Sequence, residues 1–294
     1  MNFTYLVHED KEPYIELTGC LHPERVLRLP QMIEGLPVTQ IGSHAFERLA
    51  DTEEIIIPGT VRTVGSFAFY GCRSLRRLTF TDMIEGWGFG AIRFCDEIRE
   101  LTIRILRNRF TVLRDLLGDV DYAFRVLLLY DDHKEGFYFP GYTRGFDEDT
   151  FARAIHTFTE GSGWAFRETV LRSGVDAREY EKLFLRATYD GTRTGAEIAI
   201  MRLMFSENLS ERSREQYEDY LRRNAGEILP WLVASGERER CMFILTSGLA
   251  RPEDVSAALP LAVELHDSEL VAMLMEYGRE AQTPDDDEFD LEDL

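Results

Sequence analysis

Lysine is nearly missing from this chain. It occurs at Lys11, Lys134 and Lys182, and the remaining basic residues among the 33 are arginine. Aspartate and glutamate outnumber the cations at 53, which leaves a formal charge of −20 at pH 7. The isoelectric point is near 4.7. Such a balance repels phosphate backbones and anionic lipid surfaces, so no nucleic-acid partner and no membrane insertion are expected. Long apolar runs are missing too. Stretches such as Val126–Tyr130 fall far short of the roughly 20 residues that a membrane-spanning helix needs.

Cysteine is sparse. Cys20, Cys72, Cys95 and Cys241 are widely spaced with no CxxC pair, which argues against a disulfide framework and against a zinc site. The motifs GxxxxGK[ST], HExxH, GxSxG and SxxK do not occur, and the six histidines are scattered. His266-Asp267 falls at an expected turn. Asp131-Asp132-His133 falls in an expected hairpin turn, which needs polar residues in any case. No residue is therefore assigned to catalysis, to a metal or to a cofactor, and a non-catalytic protein is expected. The amino-terminal stretch has neither the basic start nor the apolar core of a secretory signal. A cytoplasmic location is expected, with a secreted or surface location as the alternative if a leader was trimmed.

What the chain does have is periodicity. Val64, Gly65, Ala68, Phe69, Cys72, Leu75, Leu78 and Phe80 set a register. Moving back 23 positions gives Ile41, Gly42, Ala45, Phe46, Leu49, Thr52, Ile55 and Ile57. Moving forward 23 gives Trp87, Gly88, Ala91, Ile92, Cys95, Ile98, Leu101 and Ile103. Each copy carries one short apolar-x-apolar strand that cannot bury its inward residues alone. Stacking the copies buries a continuous core and pairs the strands in parallel. Gly42, Gly65 and Gly88 fall where the coil is expected to turn sharply, which glycine permits. Ala45, Ala68 and Ala91 suit a crowded interior. Cys72 and Cys95 share a column, as small buried apolar residues or as a metal or redox pair.

These residues carry a resemblance. Gly35-Leu-Pro-Val-Thr-Gln-Ile-Gly-Ser-His-Ala-Phe46, Ile57-Pro58-Gly-Thr-Val61-Arg-Thr-Val64-Gly65 and Ala68-Phe-Tyr-Gly-Cys72 resemble the BspA-type (treponemal) leucine-rich repeat over about residues 27–104. The third copy departs, with neither the proline nor the Ala-Phe pair. The resemblance implies a module for protein interaction or adhesion.

Residues between the inward strand positions should face outward along the sheet. Their columns are Glu54/Arg77/Glu100 and Ile56/Thr79/Thr102. The first alternates in sign. It reads as a cross-strand charge ladder or as a recognition strip for a protein partner, and these six residues are the candidate partner-binding set.

Phe3–Val7, Tyr14–Thr18 and Val26–Leu29 are expected to be capping strands, because solenoid ends expose core. After Arg104 an amphipathic helix is expected over 107–117, then strands Ala123–Tyr130 and Gly136–Phe139. Phe124 and Val126 continue the columns of Leu101 and Ile103 at a spacing of 23, which predicts a degenerate fourth rung. Helix pairs are expected near 147–173, 177–205, 213–247 and 252–277. Within them Val233–Gly248 lines up with Val263–Gly278 at an offset of 30. This spacing resembles degenerate ankyrin-type repeats without their Thr-Pro-Leu-His, and a helical bundle is the alternative. The tail Pro284–Leu294 is rich in acids, which repel one another. It reads as a solubilising segment, or as a short motif built on Phe289, Leu291 and Leu294. Aromatics from Phe137 to Phe166 read as a junction between solenoid and helices, or as the lining of a small-molecule or enzymatic site there.

The expected architecture is an α+β repeat protein: a short-strand leucine-rich-repeat solenoid of period 23, followed by an all-helical hairpin-repeat domain. The expected divisions are 1–104 for the solenoid with its capping strands and 105–146 for the degenerate rung. The helical ankyrin-like domain follows at 147–283 and the tail at 284–294. The expected function is a non-catalytic scaffold binding a protein partner through repeat surfaces. The alternatives are a surface adhesin or a site at the domain junction.

Overall fold

The computed structural model describes residues 3–149 and 154–280, with the side chains of 146–157 and of 280 left out. The expected acidic tail lies outside the described residues. The described residues form two compact units, one within Met1–Asp190 together with Phe205–Glu207, the other made of Gly191–Met204 and the helices after Asn208.

In the first unit the short apolar-x-apolar segments become stacked rungs. The strands up to the third copy are β1 (Phe3–His8), β2 (Tyr14–Cys20), β3 (Val26–Arg28), β4 (Met32–Ile33), β5 (Leu36–Ile41), β6 (Glu54–Ile56), β7 (Thr63–Val64), β8 (Arg77–Thr81), β9 (Gly86–Trp87) and β10 (Glu100–Arg104). Then follow α1 (Thr111–Asp119), β11 (Phe124–Leu129) and β12 (Lys134–Phe139). One sheet runs β1-β2-β5-β7-β9 with β4 beside β5, and the other runs β12-β11-β10-β8-β6-β3. The rungs β6, β8 and β10 are parallel, with Ile55 beside Leu78 and Leu78 beside Leu101. All three are fully buried. The interior is shared between the sheets: the Phe80 and Trp87 rings lie 5.7 Å apart. This is the expected solenoid, and helices follow it.

The glycine column has a different cause from the one its sequence suggests. Gly42, Gly65 and Gly88 are not among the residues with positive φ. Gly65 and Gly88 are glycine because successive coils touch backbone to backbone, whereas a Cβ on Gly42 would meet chiefly the Glu16 carboxylate. A Cβ on Gly65 would meet the peptide of Gly42 and Ser43, and one on Gly88 would meet that of Gly65 and Ser66. Positive φ instead occupies two neighbouring columns, His44/Phe67/Gly90 and Arg48/Gly71/Phe94, with φ from 56° to 68°. The cysteine column is packed as part of the interior. The Cys72 thiol donates to the Phe46 carbonyl at 3.1 Å and the Cys95 thiol to the Phe69 carbonyl at 3.0 Å. The hydrogen bond with Cys72, together with burial, holds the Cys95 thiol well above its ordinary range.

The fourth rung exists, but its register corrects the expected one. Leu101 pairs with Val126 and Ile103 with Leu128, so the offset here is 25 rather than 23. The return path of this coil runs through α1, which buries Val112, Leu113, Leu116 and Leu117. A helix consumes a different length of chain from the short turns of the other coils. Buried Asp82 fixes its approach by accepting from the backbone N–H groups of Leu106 (2.8 Å), Arg107 (2.7 Å) and Arg109 (3.2 Å).

Antiparallel β12 closes the second sheet. Where a helix pair was expected over 147–173, the chain forms β13 (Thr143–Asp149) and β14 (Ala154–Glu160), an antiparallel hairpin. Ile155, Thr157, Phe158 and Thr159 favour a strand, and the apolar spacing misled the helical reading. Then come α2 (Gly163–Glu168), the small ladder of β15 (Val170–Leu171) and β16 (Gly174–Val175), α3 (Ala177–Lys182) and α4 (Phe184–Thr188). Phe137, Phe139 and Phe166 are buried around the Tyr180 ring at 4.8–5.9 Å. These aromatics fill the interior of the first unit.

The second unit contains α5 (Thr192–Phe205, except its last residue), α6 (Glu211–Ala234), α7 (Arg238–Thr246), α8 (Pro252–Glu264) and α9 (Ser268–Glu280). The offset of 30 is real in structure: Pro230 and Pro260 sit inside α6 and α8, and α7 and α9 start at Arg238 and Ser268. Ile244 and Leu274 are buried at equivalent positions. Inside this unit the buried Arg240 guanidinium meets the buried Glu197 carboxylate at 2.6 Å.

Candidate functional site

Two surfaces of the solenoid arise directly from the repeat. The first is the outward face of the sheet from β3 to β12. Parallel pairing places Glu54, Arg77 and Glu100 side by side, and Ile56, Thr79 and Thr102 beside them. The six residues of the expected strip are therefore brought together as two adjacent columns. The shifted fourth rung adds Arg125 to the first column and Leu127 to the second. Arg125 was missed because a 23-residue spacing points two residues away from it.

The charges of the first column are paired along the sheet. The Arg77 guanidinium lies 3.1 Å from a Glu54 oxygen, and that of Arg125 lies 3.2 Å from a Glu100 oxygen. The Arg77 side chain is half exposed, so water screens this pair and it contributes only about 0.2–1 kcal/mol. At the strip's lower edge Arg25 sits 2.9 Å from Glu53 and, by that hydrogen bond, keeps the Glu53 carboxyl below its usual range. The second column is half-buried and uncharged from Ile56 to Leu127. The face is thus a narrow, low-polarity band bordered by a self-paired row of alternating charge.

The second surface is the row of return turns, which sequence reasoning passed over. Repeats are recognised by what stays constant, and this face is built from what varies. The positive-φ columns pair unlike residues, so no alignment signal marks them. Here the His44 ring stacks on Phe67 at 5.3 Å, Phe67 meets Tyr70 and Phe89 edge-on, and Tyr70 meets Phe94 edge-on at 5.2 Å. Phe89 and Phe94 are more than half exposed. Arg93 lies over the Phe89 ring at 4.8 Å. Beside this ladder a groove of about 650 Å³ is lined by Arg48, Ala50, Tyr70, Gly71, Arg73 and Phe94.

Among the described residues no group of three His, Cys, Asp or Glu side chains is placed to hold a metal ion. His133 pairs with Asp132 at 2.6 Å and stacks on Tyr130. Its Asp132 hydrogen bond raises the imidazole pKa. Among the described residues no helix is long and apolar enough to cross a membrane.

Residues 36–112 match the BspA type Leucine rich repeat region, in six copies. Repeats of this kind generally mediate protein–protein interaction or adhesion and are typically non-catalytic. Among solved structures, a leucine rich cell surface protein of Faecalibacterium prausnitzii is 27% identical, with a TM-score of 0.31 over 35% of this chain and 31% of that one. A leucine-rich repeat protein of Bacteroides ovatus is 23% identical, with a TM-score of 0.27 over 35% of each chain. The Leucine Rich Repeat protein of T. pallidum is 19% identical, with a TM-score of 0.25 over 34% of this chain and 68% of that one. The matched region spans about a third of the length of the first two relatives. No curated protein matches the chain.

Proposed function

We propose that this chain, with its BspA-type repeat region, is a non-catalytic scaffold that binds a protein partner through the outward face of the β3–β12 sheet. The observation that carries the reading is the unbroken register of Glu54/Arg77/Glu100 and Ile56/Thr79/Thr102. A flat, half-buried band with a charge-patterned border is what an extended partner surface or strand can lie against. The proposal places the scaffold in the cytoplasm, with a secreted or cell-surface location as the alternative.

The test exchanges charges within the ladder. Glu54→Arg combined with Arg77→Glu keeps an ion pair across the two strands but inverts the pattern shown to a partner. The chain is used to capture its partner from the cells that make it. The expected result is an unchanged thermal midpoint and loss of the captured protein. Capture undiminished by the exchange, and by Thr79→Arg with Thr102→Arg, would refute binding through this face.

A further inference from the structure

We propose that the groove on the return turns binds an acidic peptide segment of the partner protein, one whose carboxylates alternate with aromatic or aliphatic side chains. The proposal rests on the scaffold reading and adds the chemistry of what is recognised.

The groove is made by one gap in a column. Arg48, Gly71 and Phe94 are equivalent residues on successive coils, all at positive φ. Because Gly71 has no side chain, a floor is left between the Arg48 stem and the Phe94 ring. A Cβ there would already touch Arg48 Cγ at 3.4 Å. Tyr70 and Phe94 form one wall and contact each other edge-on at 5.2 Å. They present ring surface on which an apolar side chain can pack.

The cations decide the charge of the ligand. In a chain of net charge −20, several arginines of the solenoid meet acids: Arg25 with Glu53, Arg77 with Glu54, Arg109 with Glu85 and Arg125 with Glu100. Arg48 and Arg73 are exposed and have no carboxylate partner among the described residues. They flank the same groove, and no acid lines it. The nearest acid in sequence, Glu47, is held by His44 at 2.7 Å. Two guanidinium forks beside two rings therefore match carboxylates spaced around an apolar residue. A nucleic acid could offer stacking and negative charge as well. The groove offers two guanidinium groups and no extended basic track for a phosphate backbone, so the peptide is favoured.

The probe is a fluorescein-labelled peptide of three Glu-Phe-Asp-Leu repeats, titrated with the full chain and followed by anisotropy. Saturable binding is expected, weakened at least about tenfold by Arg48→Glu with Arg73→Glu and by raised salt. Phe94→Ala should weaken it about fivefold through lost ring contact. Arg77→Glu, on the sheet face, should leave it unchanged. Arg48→Gln with Arg73→Gln serves if the charge-reversed chain does not fold. Three results would overturn the proposal: no saturable binding, binding indifferent to the groove substitutions, or equal affinity for a twelve-residue oligothymidylate. Any of these with partner capture still sensitive to the Glu54/Arg77 exchange removes the groove and leaves the scaffold reading standing. Capture insensitive to that exchange but lost in the groove variants supports the groove and removes the sheet face.

Discussion

The Tyr180 hydroxyl holds both backbone groups of Tyr138: it donates to the carbonyl at 2.6 Å and accepts from the N–H at 2.9 Å. Tyr138 lies in β12, the last strand of its sheet. An open edge offers a row of N–H and C=O groups to any passing strand. Here a side chain of α3 takes the place of a neighbouring strand, and its ring also fills the space between Phe137, Phe139 and Phe166.

Tyr180→Phe keeps the ring and removes both hydrogen bonds. A loss of about 1–3 kcal/mol is expected, the usual cost of removing a partner from buried polar groups. Urea denaturation measures it. An unchanged midpoint would show that water replaces the hydroxyl there.

Gly65→Ala should be among the most damaging single-methyl changes in the chain. Its Cβ would collide with the backbone of Gly42 and Ser43, which can move only by spreading two coils. Overpacking of a well-filled interior costs about 1–3 kcal/mol or more. Gly118→Ala is the contrasting case. Gly118 lies within α1 with nothing near its added Cβ, so a gain of up to about 1 kcal/mol is expected from helix propensity. Thermal midpoints of the two variants should move in opposite directions.

Arg167 is buried and holds the chain around it without a carboxylate hydrogen-bond partner among the described residues. Its guanidinium donates to the carbonyls of Leu117 (3.0 Å), Gly163 (3.0 Å), Tyr122 (2.6 Å) and Pro140, and it lies over the Tyr142 ring at 4.8 Å. Burial lowers its pKa to about 10. A lysine has one head group and cannot span four carbonyls. Arg167→Lys should cost about 3–5 kcal/mol, as for other losses from a buried charged network. Chemical denaturation decides it, and a loss below 1 kcal/mol would contradict the clamp.

Asp267 caps α9 by accepting from the Leu270 N–H at 3.1 Å and meets Arg238 at 2.7 Å. The Leu270 hydrogen bond, and then the arginine, hold its carboxyl below the model-peptide value of 3.8. A depressed folded-state pKa contributes stability that is complete above the unfolded value and is lost as pH falls through the folded one. The second unit should therefore lose stability below about pH 4. Asp267→Asn should shrink that acid limb. A melting series from pH 6 to pH 2.5 reads both, and identical slopes in the two proteins would contradict the link.

Much of this architecture is legible in the sequence because it depends on constancy. Ile55, Leu78 and Leu101 repeat at one spacing, and burial of an inward face by its neighbours follows from that alone. The strip from Glu54 to Thr102 follows equally, since strand residues alternate between faces. Arg125 could not be placed, because the chain length taken up by α1 is set by packing and not by the repeat. The hairpin of β13 and β14 was hidden by spacing that fits a helix as well.

The sequence by itself determined the coiled stack, its register over three copies and the acidic character of its surface. Those depend on periodicity and composition, which are local and additive. Only the tertiary structure decided why Gly65 and Gly88 must be glycine, where the fourth rung starts, and that Arg48, Tyr70, Arg73 and Phe94 share one groove. Those features depend on distances between coils, which unlike residues in different copies create together when they are stacked.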